Sequence, residues 1–179
     1  MKLNTNRMEA LTDGIFAIVM TVMILSFSEI VGFKGIKEND FHAFFIGLKD
    51  DFLSYAASFF ILGILWFEHH WQFHYIKHMD PVIALIHVVW FMFVCILPFS
   101  TLLAGNHANF LAPLLAFEVN IAIVFALLCI NWIYATKGHR LVDESVDKKM
   151  ISDHSMIAIA SVVVIIAAIG LSVLAGRYG

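Results

Sequence analysis

The feature that most constrains this sequence is an apolar run with almost nothing to interrupt it. Across residues 15–27 only Thr21 and Ser26 break a series of aliphatic and aromatic side chains. The run follows Arg7 and a helix-start cluster, Thr12-Asp13-Gly14, so the stretch 7–27 reads as one helix. In a soluble protein it would be a buried core helix. Here it is one of several, and the composition makes lipid the solvent. Of 179 residues, 61% are hydrophobic and only 14% are charged, against roughly 25% in an ordinary soluble domain. Mean hydropathy is +0.86.

This length fits a single membrane domain, residues 1–179, built from several spans of about 20 apolar residues each. The net charge of −3 is too small to suggest a nucleic-acid partner. Cys95 and Cys129 both lie inside apolar runs and read as small buried residues with no disulfide role. The first helix reads as retained. Glu9 and Asp13 stand where a signal peptide would be basic, and no small-x-small cleavage site follows Phe27.

Five spans are expected. The first covers residues 7–31, and a polar loop with Lys34, Lys37, Glu38 and Asp40 follows. The second covers residues 41–77, longer than a bilayer requires. Asp80-Pro81 breaks it and starts the third, residues 81–103, with Pro98 as a kink. The fourth covers 110–135, the longest polar segment 136–154, and the fifth span 156–175. With the N-terminus inside, the inner segments hold Lys2, Arg7, Lys77, Lys137, Arg140, Lys148 and Lys149, and the outer ones Lys34, Lys37, Lys49 and Arg177. Seven against four favours a cytoplasmic N-terminus in a multi-pass protein of the cell's inner (plasma) membrane.

No Walker loop, dinucleotide glycine motif, G-x-S-x-G or H-E-x-x-H occurs, so no enzyme is read here. His70, His74 and His78 recur every four residues, a spacing that shares one helix face and can bind zinc or haem. The plainer reading is a set of interfacial histidines that hydrogen-bond across helices, because no carboxylate or cysteine stands at ligand spacing. The ionisable groups at membrane depth are Asp13, Glu68, His69, His70, His87 and Glu118, with the amides Asn120 and Asn131. Asp13 fits a helix cap as well as a pore group. A proton-coupled carrier using Asp13, Glu68 and Glu118 is a further alternative, although no repeated halves are visible.

In the first helix Ile18, Val22 and Leu25 fall on one side with Thr21 between them. On periodicity alone this is an ordinary packing face. A resemblance goes further. Arg7, Leu11-Thr12-Asp13-Gly14-Ile15-Phe16-Ala17-Ile18 and Thr21 resemble the first-helix signature of the prokaryotic potassium channels related to the lysosomal channel transmembrane protein 175. That family has Phe and Ser where this chain has Leu11 and Thr12. Leu62-Gly63, Trp66 and His69-His70 are similar to its second-helix end, and Leu97-Pro98-Phe99-Ser100-Thr101 to its third-helix element. His87 stands where the family often has Asn. The family has six spans where five are read here, so a sixth is expected to be missing or cut away.

The resemblance implies an all-α polytopic bundle forming a homotetrameric cation channel, with potassium as the permeant ion and no bound cofactor or metal. Its partners would be the lipid bilayer and further copies of the chain. The pore would be lined by the first helix, with apolar rings at Ile18, Val22 and Leu25 and hydroxyls from Thr21. Arg7, Asp13, Trp66, His69 and His87 would form a polar cluster behind it. Ile18, Thr21, Val22 and Leu25 occupy about 100° of arc. Phe16, Val19, Met20, Met23 and Phe27 take most of the rest and suit packing against neighbouring helices.

Overall fold

Asp80 and Pro81 set a sharp boundary between two helices. Proline at the first helical position has no N–H to leave unpaired, and the Asp80 carboxylate accepts from the amides of Val82 at 3.1 Å and Ile83 at 3.0 Å. The helix they start is the third of five. In the computed structural model, which describes residues 5–24, 41–107 and 109–178, α1 is Thr5–Val22, α2 Phe41–Tyr75, α3 Pro81–Asn106, α4 Leu111–Thr136 and α5 Lys148–Tyr178. A single 3-10 turn, Lys137–His139, follows α4. The part of the first expected span beyond Ile24 lies outside the described residues.

Among the described residues four helices, within Phe52–Tyr75, Pro81–Gly105, Leu111–His139 and Lys148–Gly176, are long and apolar enough to cross a membrane. At 35 residues, α2 runs about 52 Å against a hydrocarbon core of about 30 Å. The span candidate within it begins at Phe52, after Lys49, Asp50 and Asp51 in the sequence. Pro98 sits inside a continuous α3. The hydroxyls of Ser100 and Thr101 both donate to the Leu97 carbonyl beside it, at 3.0 and 2.9 Å.

α4 packs against both α3 and α5, while α1 lies against α2 and α3. The main core joins Phe16 and Val19 of α1 and Met23 just after it to Leu62 and Leu65 of α2, Trp90, Val94 and Leu97 of α3, and Val124 and Leu128 of α4.

A second core closes one end. Gly138 at φ +63° and His139 at φ +53° adopt left-handed backbone and reverse the chain after α4. The returning segment lays Leu141 and Val142 on the end of α2. Ile76 and Val142 form an antiparallel bridge, and the Leu141 carbonyl accepts from the amides of Lys77 at 2.9 Å and His78 at 3.3 Å. This docking ends α2 at Tyr75, two residues before the expected stop. Asp80 accepts the Tyr134 hydroxyl at 2.6 Å and lies 3.5 Å from Arg140, whose guanidinium covers the Tyr134 ring. Burial pulls the Asp80 pKa up, but the hydrogen bonds from Tyr134, Ile83 and Val82 and the Arg140 charge outweigh it. The carboxyl is held below its ordinary value.

The fifth helix starts eight residues before its expected first residue. Asp147 accepts the Lys149 amide at 3.0 Å as a cap, and the polar turns 148–155 are helical because their groups find partners. Ser155 Oγ accepts from the Trp132 indole at 3.1 Å, and His154 meets Glu68.

Candidate ion pathway and the residues behind it

The described part of α1 has two unlike faces. Thr12, Phe16, Val19 and Met23 are buried against α2 and α3. On the opposite side Ile18 is 63% exposed, against 1% for Phe16 two residues away. Leu11, Thr21 and Val22 are exposed with Ile18. Phe16 and Met23 fill the spaces between helices with Val19 between them, while Ile18 and Val22 are left outside. Leu25, the last of the four expected lining residues, lies outside the described residues.

Thr21 sits on the exposed face with its hydroxyl hydrogen turned inward, toward the carbonyls of Ala17 at 2.7 Å and Ile18 at 2.9 Å. The oxygen can then act toward the exposed side only as an acceptor, the polarity a cation requires.

Behind α1 the expected polar cluster divides in two. Near the surface, the Trp66 indole donates to Asp13 Oδ1 at 2.8 Å and ties α2 to α1. Deeper, Thr12, His69, His87 and Trp90 are all buried. The Thr12 hydroxyl donates to the Met8 carbonyl at 2.9 Å, so its 3.4 Å contact with His69 requires His69 Nε2 to be the donor. His87 Nδ1 donates to the Ile83 carbonyl at 2.8 Å, within its own helix. The His87 ring meets His69 edge to face, with centroids 5.2 Å apart.

Arg7 takes a different place. It lies eleven residues before Ile18, about 20° away on the same stripe of α1, and is exposed. Helical register thus separates it from the buried histidines, and Thr12 makes the α1 contact instead.

Trp90 is the member that sequence reasoning missed. It stacks on His69 at 5.1 Å and 12° and lies 5.6 Å from Phe16, so it joins α1, α2 and α3. Its position three residues after His87, on the same face of α3, is the signal that could have found it.

The other polar candidates are spread over separate contacts. His78 lies beyond the end of α2, so His70, His74 and His78 do not share a helix face. Glu68 meets His154, Glu118 accepts the Ser172 hydroxyl at 2.7 Å, and Asp13 meets Trp66. The three carboxylates proposed for a carrier therefore have three different partners. Asn120 donates to Ser100 at 3.1 Å.

Residues 7–98 match the family model described as the endosomal/lysosomal potassium channel TMEM175. A potassium channel of Streptomyces collinus is 28% identical over 151 residues, covering 80% of this chain and 70% of that protein. The endosomal/lysosomal proton channel TMEM175 of Bos taurus is 34% identical over 103 residues, 55% of this chain. The chain spans only 22% of that longer relative. Among solved structures, the crystal structure of a lysosomal potassium-selective channel TMEM175 homolog from Chamaesiphon minutus superposes with a TM-score of 0.77. It covers 95% of this chain and 87% of that one at 18% identity, a likeness of fold.

Proposed function

Since the chain belongs to the TMEM175 potassium-channel family, we propose that it conducts potassium ions as a homotetramer, through an axial pore lined by Ile18, Thr21, Val22 and Leu25. The observation that carries this reading is the exposed stripe on α1. Ile18 and Val22 are more than half exposed on a helix whose other side is packed into the core. A stripe of this kind on each of four copies would enclose a path along their common axis.

The chemistry of such a path is simple. A ring of Ile or Val side chains narrow enough to exclude water stops ions by dewetting; a wider ring makes a cation shed part of its hydration shell. Potassium holds that shell less tightly than sodium, so the barrier favours potassium. Thr21 oxygens beside the ring supply acceptors that replace part of the lost hydration. Asp13, Trp66, His69 and His87 hold α1 from behind. The relative named a potassium channel aligns over four-fifths of this chain, and the one named a proton channel over little more than half, which supports potassium as the ion.

On this reading the N-terminus lies in the cytoplasm and the protein in the plasma membrane, as the excess of Lys and Arg on the inner segments favours. Valinomycin-free potassium flux from proteoliposomes, compared for wild type and Ile18→Asn, tests the reading. Flux in the wild type and altered ion preference in the variant support it. Liposomes that stay tight with correctly inserted protein contradict it.

A further inference from the structure

On the side of the bundle away from α1, Glu68 and His154 meet across α2 and α5, Oε1 to Nε2, at 2.7 Å. Gln72 Nε2 donates to the same Oε1 at 3.2 Å and to the Leu128 carbonyl at 3.3 Å, while Gln72 Oε1 accepts from Asn131 at 3.0 Å. Trp71 stacks on the imidazole with ring centres 3.9 Å apart. These contacts fix the Glu68 carboxylate from one side. Both of its partners meet Oε1, yet 30% of the side chain remains accessible and borders a cavity of about 150 Å³ between α2, α4 and α5.

The cavity shares Phe125, Ile157 and Ser161 with a more open apolar groove of about 470 Å³ that continues past Val164 and Ile165. Among the described residues neither is lined by Lys or Arg.

Depth gives the pair of cavities a direction. With 31 residues, α5 is about 46 Å long, so about 8 Å at either end clears a hydrocarbon core of about 30 Å. His154, six residues after Lys148, is about 9 Å from the helix start and falls at that boundary. Ile165 is eleven residues further on, about 16 Å deeper. The polar end therefore lies where lipid headgroups begin, and the apolar groove descends toward the bilayer centre.

We propose that this site binds a single-chain amphiphile with a protonated amine head. The ammonium meets the Glu68 carboxylate, and the chain lies along Phe125, Ile157 and Val164. Gln72 already donates to Glu68 and His154 Nε2 lies 2.7 Å from the same oxygen, so the floor of the cavity presents a carboxylate acceptor. In a medium of low dielectric a charge-assisted bond to carboxylate is stronger than one to a neutral hydroxyl. The site stands apart from the α1 stripe and does not depend on what the pore conducts.

The test uses the full chain in phosphatidylcholine nanodiscs, with dodecylamine, dodecanol and dodecanoate as probes. Tryptophan emission is the readout, since Trp71 lies against His154. Dodecylamine should give a saturable change at least tenfold tighter than either other probe. Glu68→Gln should weaken it about tenfold. Ala158→Phe, which fills the cavity one turn beyond His154, should abolish it with helix content and ligand-free tryptophan emission unchanged. Equal binding of dodecanoate or dodecanol overturns the proposal. So does a response that rises without saturation, or unaltered amine binding in Ala158→Phe.

Discussion

The indole of Trp66 donates to the Asp13 carboxylate across 2.8 Å and so ties α1 to α2. The bond lies at the surface of the chain, where one hydrogen bond to a charged group contributes modestly. Asp13 flanks the stripe that carries Ile18, so the contact braces α1 beside the packing of Phe16 and Val19, which sets the way the stripe faces. Trp66→Phe keeps the ring and removes the donor. It should lower stability by about 1.5–3 kcal/mol at most and leave the exchange of potassium for sodium nearly unaltered. Thermal melting beside bi-ionic reversal potentials separates the two effects; a large change in ion preference at unchanged melting would count against a supporting role.

Trp90 is a harsher test of the same support. Buried between Phe16 and His69, it packs three helices together. Trp90→Ala should cost about 3–5 kcal/mol, far more than Trp66→Phe. Size-exclusion profiles after graded heating should show the two variants in that order.

The Asp80 contact predicts a pH dependence. Its folded pKa lies below the ordinary carboxylate value of 3.8. The stabilisation is therefore complete above the unfolded value and is lost as pH falls through the folded one. Asp80→Asn keeps a cap for α3 and discards the charge facing Arg140. The melting difference between wild type and Asp80→Asn should be constant from pH 7 to about 5 and should close below pH 4. The exposure of Arg140 keeps the difference small. A difference that widens in acid would reverse the sign of the argument.

How far the molecule can be read from its sequence varies along the chain. The α2–α3 boundary is legible at Asp80-Pro81 because cap and proline chemistry are local. The α1 faces are legible in part: Phe16 and Met23 are bulky and buried, but Val19 and Val22 are the same residue type on opposite sides. The start of α5 is not, since hydropathy treats Lys148 to Ser155 as loop until Trp132 and Glu68 on other helices supply partners. The stop of α2 depends on the Ile76–Val142 bridge across 66 residues of chain, beyond any local signal. Trp90 is hidden for another reason: within a helix apolar on every side, burial depends on which neighbours arrive.

A polar side chain in the narrow part of the path should admit water. Ile18→Asn should therefore keep or raise conductance and reduce the preference for potassium over sodium, by an amount visible as a reversal-potential shift under bi-ionic conditions. Thr21→Val, which removes the acceptor and keeps the shape, should lower conductance with less effect on preference. An unshifted reversal potential in Ile18→Asn, with current still flowing, would remove Ile18 from the filter.

The central claim is that the Ile18 face of α1 meets water and the Phe16 face does not. It is tested most directly by single cysteines at 16, 18, 19, 22 and 23 in a chain lacking Cys95 and Cys129. A membrane-impermeant thiol reagent is added while potassium flux is recorded. The account predicts rapid modification and loss of flux at 18 and 22, with 16, 19 and 23 silent. Modification at 16, 19 and 23 with 18 and 22 silent would contradict it.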